Sequence, residues 1–197
     1  MNTDDIWRLS ATELSTLTRA GDISAETAVQ ASIDRMTAVN PQLNAVVEDL
    51  SAEAVSRARD LDKARAAGAA PGPLQGLPVT IKINVDQEGH ATSNGVTALK
   101  DLIAPADAPV VANLQKAGAV VIGRTNTPEF SFRADTDNPL FGRTHNPWGR
   151  HISPGGSSGG AGASVMVGIG ALAHGNDIGG SLRFPAAANG AVTVKPG

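Results

Sequence analysis

The sequence has no cysteine and no tyrosine. Without thiols there can be no disulfide, no thiolate metal site and no cysteine nucleophile, and a reducing, intracellular compartment is the simpler expectation. Aromatic residues are only 3% of the 197, with Trp7, Trp148 and four Phe, so the core must be built mainly from Ala, Val, Leu and Ile. An excess of one charge is missing as well. Sixteen Lys and Arg stand among 19 Asp and Glu, a formal net charge of −3, which offers no electrostatic footprint for nucleic acid or an anionic membrane. A small neutral molecule is a better partner. Long apolar runs are also absent: the longest uncharged apolar stretch, Ala161 to Ala173, carries three glycines and is too short to span a bilayer, so it is expected as a buried helix. The start, MNTDDIWRLS, is acidic and lacks the apolar run of a secretory signal, which leads to the expectation of a cytoplasmic protein. His90, His145, His151 and His174 are too dispersed for a metal site, and neither metal nor cofactor is expected.

What is present is a globular composition, 41% hydrophobic and 18% charged, in a chain long enough for one buried core. Ser10 and Glu13 form a capping box ahead of Leu14 and Leu17, with Gly21 placed to end that helix. Ser24 caps a second helix, in which Val29, Ile33, Met36 and Val39 recur at helical spacing and which Pro41 is expected to stop. A strand is expected over Leu43 to Val47, then a helix from Ser51 to about Gly68 with Ala54, Val55, Ala58 and Leu61 on one face. The loop GAAPGPLQG, 68–76, is the expected boundary between a helical segment, 1–70, and a second part, 71–197. Beyond it come a strand, Pro78 to Ile83, a helix opened by Pro109 and running to Lys116, and a strand, Ala119 to Ile122. This alternation is α/β grammar. An irregular segment over 124–153, a helix from near Gly160, a short strand near Leu172 and a last strand at Val192 and Val194 complete the reading.

The most informative stretch is PGGSSGGAGASVMVGIGALAHGNDIGGSLRFPA, residues 154–186, where Ser157 and Ser181 each sit in a glycine cluster. Glycine reaches turns that other residues avoid and lets main-chain N–H groups approach a reacting atom. The same residues admit plainer readings: a flexible linker, an anion-cradling loop at a helix start, or a Ser-His-Asp scheme in which Asp177 orients a histidine. Lys82, in GLPVTIKIN, could equally be a lysine whose head reaches water. Asn126, Thr127 and Asn138 could line a substrate channel or cap loops.

The segments GLPVTIKINVD, GRTNTPEF, NPW and GGSSGG…DIGGSLRFPA follow one another in the order of the amidase signature family, which the chain resembles over most of its length after residue 74. The resemblance implies a mixed β-sheet covered by helices, an α/β fold. It implies a catalytic triad of Ser181 as nucleophile, Ser157 as bridging serine behind a cis peptide bond, and Lys82 as base. An oxyanion hole would come from the amides of Ile178, Gly179, Gly180 and Ser181, with Ser158 and Asp177 supporting the site and Arg183 and Pro185 structural. Such a lysine must be neutral. Taking it from about 10.4 to about 7.5 corresponds to roughly 4 kcal/mol, within the reach of burial among Val79, Ile81, Ile83 and Val85. The activity implied is amide hydrolysis through an acyl-enzyme, on a small-molecule amide.

Three departures from the family pattern stand out: Ile83 where Asp is common, Asn176 where Thr is common, and length. Neither substitution is expected to reach the triad. The length suggests an N-terminal portion of the family's catalytic domain, with a sheet incomplete at the C-terminus. Other readings are therefore a noncatalytic fragment, a subunit that pairs with a missing part or with a second copy, or a glutamine-hydrolysing subunit of an amidotransferase.

Overall fold

A computed structural model describes residues 3–196. After a 3₁₀ turn at Thr3–Arg8 come α1 (Ala11–Ala20), α2 (Ala25–Leu43), β1 (Val46–Asp49), α3 (Ser51–Ala66), β2 (Pro78–Lys82), α4 (Pro109–Lys116), β3 (Val120–Thr125), α5 (Gly159–Met166), β4 (Leu172–Ala173) and α6 (Arg183–Asn189). The four strands form one sheet in the order β1-β3-β2-β4. β1 runs antiparallel to β3, while β2 is parallel to both β3 and β4. The expected mixed sheet with helical cover is what the chain forms.

All five residues of β2 and all six of β3 are buried, as befits central parallel strands covered on both faces. Side chains alternate across the sheet. Val120 and Ile122 meet Val29, Ile33 and Met36 of α2 and Ala54 and Ala58 of α3, whereas Val121, Val79 and Ile81 meet Val111 of α4 and Leu50. Residues from both sides of the 68–76 loop thus share one core. The side chain of Arg124 is fully buried and holds the loop after β2 to β3, donating to Val85 O (2.9 Å), Ala91 O (2.7 Å) and Glu48 Oε2 (3.0 Å).

The capping box of α1 forms as expected, with Gly21 in the left-handed region closing the helix. Three boundary expectations are corrected. Pro41 does not stop α2, which runs on to Leu43; a proline in the last turn forfeits one backbone bond while its φ suits the helix, and the end is set by left-handed Asn44, whose N–H reaches Asn40 O at 2.7 Å. The strand expected at Leu43 to Val47 therefore starts at Val46, because the Asn40 side chain first takes the amides of Ala45 and Val46 (both 2.9 Å). Val192 and Val194 form no strand: both are exposed, and no neighbouring strand among the described residues bonds them. Helix α6 was not foreseen, since its proline and alanines carry no periodic apolar pattern. Among the described residues no helix is long and apolar enough to cross a membrane, and no group of three or more His, Asp or Glu is placed to hold a metal ion.

Candidate active site

Because β2 and β4 are parallel, their C-terminal ends open on the same edge of the sheet, where ligands of α/β folds commonly bind. Lys82 is the last residue of β2 and shares a face with Thr80, which looks toward α5 (Thr80 Oγ1 to Ser164 Oγ, 3.4 Å). The lysine is completely buried. Its Nζ lies 2.7 Å from Ser157 Oγ and 2.8 Å from Asn176 Oδ1. Burial pushes the ammonium down to about 7, with the negative charge of Asp177 working in the opposite direction.

Ser157 sits in a run, 154–163, that is buried throughout, which disposes of the flexible-linker reading. The Gly156–Ser157 peptide is cis. Gly156 is glycine for want of space: a Cβ there would stand 2.7 Å from the Ala134 carbonyl carbon and the Asp135 nitrogen. Ser158 joins this segment to the second serine cluster, its amide donating to Ser181 O at 3.0 Å, while its hydroxyl makes longer contacts of 3.4 Å with the Asn176 N–H and C=O.

The turn carrying Ser181 is organised around Asp177, whose side chain is fully buried. One carboxylate oxygen accepts from Gly180 N (2.7 Å) and Arg183 Nη2 (2.9 Å); the other accepts from Leu182 N and Arg183 N (both 3.2 Å) and Arg183 Nε (2.9 Å). The Arg183 guanidinium above all, helped by these amides, holds the carboxyl far below the usual carboxylate range, against the opposing effect of burial. Gly180 takes φ +119° to make the turn. Its N–H is committed to Asp177, so of the four amides expected in the oxyanion hole those of Ile178, Gly179 and Ser181 meet no acceptor among the described residues.

Ser157 and Ser181 open into one cavity of about 520 Å³, together with Gly156, Ile178 and Gly179; Phe130, Phe132 and Phe184 form much of its apolar wall. A larger groove of about 940 Å³, lined by β4 and residues 191–196, touches neither serine and is not the place for their chemistry. The Ser-His-Asp reading fails, because both Asp177 oxygens are occupied by Arg183 and main-chain amides. His174 donates its backbone N–H to Thr80 O (2.8 Å) and has no partner for Nδ1 among the described residues; burial, then the charge of Lys82, pushes its ring down to about 4. Asn126, Thr127 and Asn138 prove to be loop braces: Asn138 Nδ2 donates to Asn126 Oδ1 and Thr127 O (both 2.7 Å), and its Oδ1 accepts from Leu140 N and Phe141 N.

One expectation is corrected at the site. Ile83 is buried directly after β2, and Asn176 bonds Lys82 directly. Sequence reasoning also passed over Asn84 and Ser131, which line the same cavity. Asn84 was findable only by its nearness in sequence to Lys82, because it lies in the turn after β2 and outside the strand's alternation. Ser131 was not, because it enters through consecutive left-handed residues, Phe130 and Ser131 (φ +51° and +61°).

Residues 27–197 match the protein-family model described as Amidase. An indoleacetamide hydrolase of Bradyrhizobium diazoefficiens is 62% identical over 191 residues, covering 97% of this chain and 36% of its own length. A glutamyl-tRNA(Gln) amidotransferase subunit from Carboxydothermus hydrogenoformans is 43% identical, with 98% and 40% covered. Among solved structures, fatty acid amide hydrolase superposes with a TM-score of 0.92 at 33% identity, over 96% of this chain and 34% of that one. The chain thus spans little more than a third of the length of these relatives. With the family's match extending from α2 through both serine clusters, the chain belongs to the amidase signature family.

Proposed function

We propose that the protein hydrolyses a carboxylic amide through Ser181, Ser157 and Lys82. One observation carries the reading: a buried lysine, its ammonium destabilised, lies 2.7 Å from a serine hydroxyl that shares its cavity with a second serine. Ser181 Oγ attacks the amide carbon while its proton passes to Ser157 and the proton of Ser157 passes to neutral Lys82. The resulting oxyanion is met by the free amides of Ile178, Gly179 and Ser181, each such donor contributing about 3 to 4 kcal/mol in comparable sites. Ser157 then protonates the departing nitrogen and recovers a proton from Lys82. Water, activated along the same path, cleaves the acyl-enzyme. None of these steps needs a metal or cofactor.

For the substrate we infer a small neutral amide with an aromatic group close to the carboxamide. The relative 62% identical is named an indoleacetamide hydrolase, and Phe130, Phe132 and Phe184 offer rings for it to lie against. Ser181→Ala and Lys82→Ala should each abolish hydrolysis of an arylacetamide without unfolding the protein; unimpaired turnover by either variant rejects the mechanism. The amidotransferase relatives support a second reading, glutamine hydrolysis within a complex. Glutaminase activity that appears only with partner chains, together with inertness toward arylacetamides, would favour it.

A further inference from the structure

The amine of Lys82 has one neighbour that the chemistry above does not use. Asn176 Oδ1 accepts from Nζ at 2.8 Å, as close as Ser157 Oγ on the other side. A carboxamide can present either end to a neighbour, so its orientation has to be fixed by its remaining bonds. Here the side chain of Asn84 fixes it. Asn176 Nδ2 donates to Asn84 Oδ1 (3.1 Å), and Asn84 Nδ2 donates back to Asn176 Oδ1 (3.3 Å) and to Ser131 Oγ (3.0 Å). Ser131 in turn pairs with Thr127 Oγ1 at 3.0 Å. With its Nδ2 on Asn84, Asn176 turns its oxygen toward the lysine.

That constraint has a directional consequence. A neutral amine has two N–H donors and one lone pair. If one N–H is drawn to an obligate acceptor, rotation about Cε–Nζ can bring the lone pair to the Ser157 hydroxyl. We propose that Asn176, locked by Asn84, is a positioning residue that aims the Lys82 lone pair at Ser157. This rests on the proposed role of Lys82 as base, and it assigns to two residues outside the triad the task of keeping a flexible side chain in its reactive orientation. Asn84 further ties that orientation to Ser131 in the wall of the cavity.

The ionisation of Lys82 gives a readout that mere structural support would not move. The charged and titratable groups bearing on it are Asp177, with its partner Arg183, in the loop after β4, and His174 directly after β4. Arg124, on adjacent β3, turns its guanidinium to Glu48 and the 85–91 loop instead, and α5 carries no charged or titratable side chain. An oxygen that accepts from Nζ stabilises the ammonium more than the amine. Asn176→Leu, of similar shape, should therefore lower the midpoint of Lys82 by about half a unit or more, and Asn176→Asp should raise it by about one unit or more. Asn84→Leu should act in the same direction as Asn176→Leu but more weakly, because it frees the carboxamide without removing it.

The midpoint would be followed from the ¹³Cε resonance of labelled lysine, identified by its loss in Lys82→Met, and in parallel from the pH dependence of Ser181 phosphonylation by an alkyl fluorophosphonate. In that reaction Oγ displaces fluoride and loses its proton toward Lys82. Opposite shifts for Leu and Asp, with labelling by Asn176→Leu slowed about tenfold even where its lysine is fully neutral, are the expected result. Unmoved midpoints, or shifts of one sign in both variants, overturn the proposal while leaving the triad intact. Labelling of Lys82→Met at the unaltered rate instead removes the base itself, a separate failure.

Discussion

The two halves of the candidate site are held in place by different physics. Lys82 is fixed by the sheet: β2 is bonded on both sides, every residue of it is buried, and the lysine owes its lowered ionisation first to that burial. Ser181 is fixed by a turn with no sheet behind it, and its geometry depends on one carboxylate that satisfies three main-chain amides and an arginine. The ionisation of the proposed base and the placing of the proposed nucleophile thus rest on largely different contacts, with Asp177 the group that bears on both. Damage to the first should appear in pH dependence, and damage to the second in rates at every pH.

The largest effect should come from Lys82→Met. The folded lysine titrates near 7 and an unfolded one near 10.5, so between these values the unfolded chain binds more protons and stability rises with pH. Relative to a neutral side chain, the cost at pH 7 is about 4 kcal/mol. Urea unfolding of the native protein should become harder between pH 7 and 10, and the methionine variant should lose that rise while being the more stable protein at pH 7. A pH slope unchanged by the substitution would mean that the lysine stays charged in the fold.

His174 sharpens the same side of the comparison in a lower window. Its ring is pushed from 6.5 to about 4, so it too binds more protons when unfolded, and its contribution is complete above 6.5 and lost as the pH falls through 4. With partial exposure discounted, the loss is about 2 kcal/mol. His174→Leu should flatten acid unfolding between pH 6.5 and 4 without altering the behaviour above 7, where Lys82 acts.

These contrasts also explain how much of the molecule could be read beforehand. The capping box of α1, the proline that opens α4 and the β-branched run Val79 to Ile81 of β2 were legible because each is a local rule obeyed locally. The serine clusters were legible through a motif. The direct contact of Asn176 with Lys82 was not, because it joins residues 94 positions apart through parallel pairing of β2 with β4, and a two-residue strand leaves little pattern in a sequence. The glycines around Ser157 were singled out for conformational freedom, but Gly156 and Gly160 owe their identity to close packing, with Asn126 N only 2.5 Å from where a Cβ of Gly160 would be. Pro41 misled for the opposite reason: a strong local signal was outweighed by the helix end that Asn40 and Asn44 define together on either side of it.

On the turn's side, Asp177→Ala removes the carboxylate's bonds to Gly180, Leu182 and Arg183, leaving the Ser158 N–H on Ser181 O, and should slow phosphonylation of Ser181 about a hundredfold, as a nucleophile displaced by about 1 Å would. The weakest perturbation is the most discriminating. Arg183 is more than half exposed, yet its guanidinium contributes two of the bonds to Asp177 and is the largest cause holding the carboxyl below its ordinary range. Arg183→Gln leaves the three main-chain amides on Asp177 and removes only the guanidinium, so the turn should persist with a looser carboxylate and labelling should fall about tenfold or less. Because Asp177 also raises the ionisation of Lys82, a carboxylate freed from arginine should act on the lysine more strongly. The pH at which labelling is half-maximal should then move upward in the glutamine variant. An unshifted midpoint with a slower rate would instead show that turn and strand are independent, and that Asp177 serves the nucleophile alone.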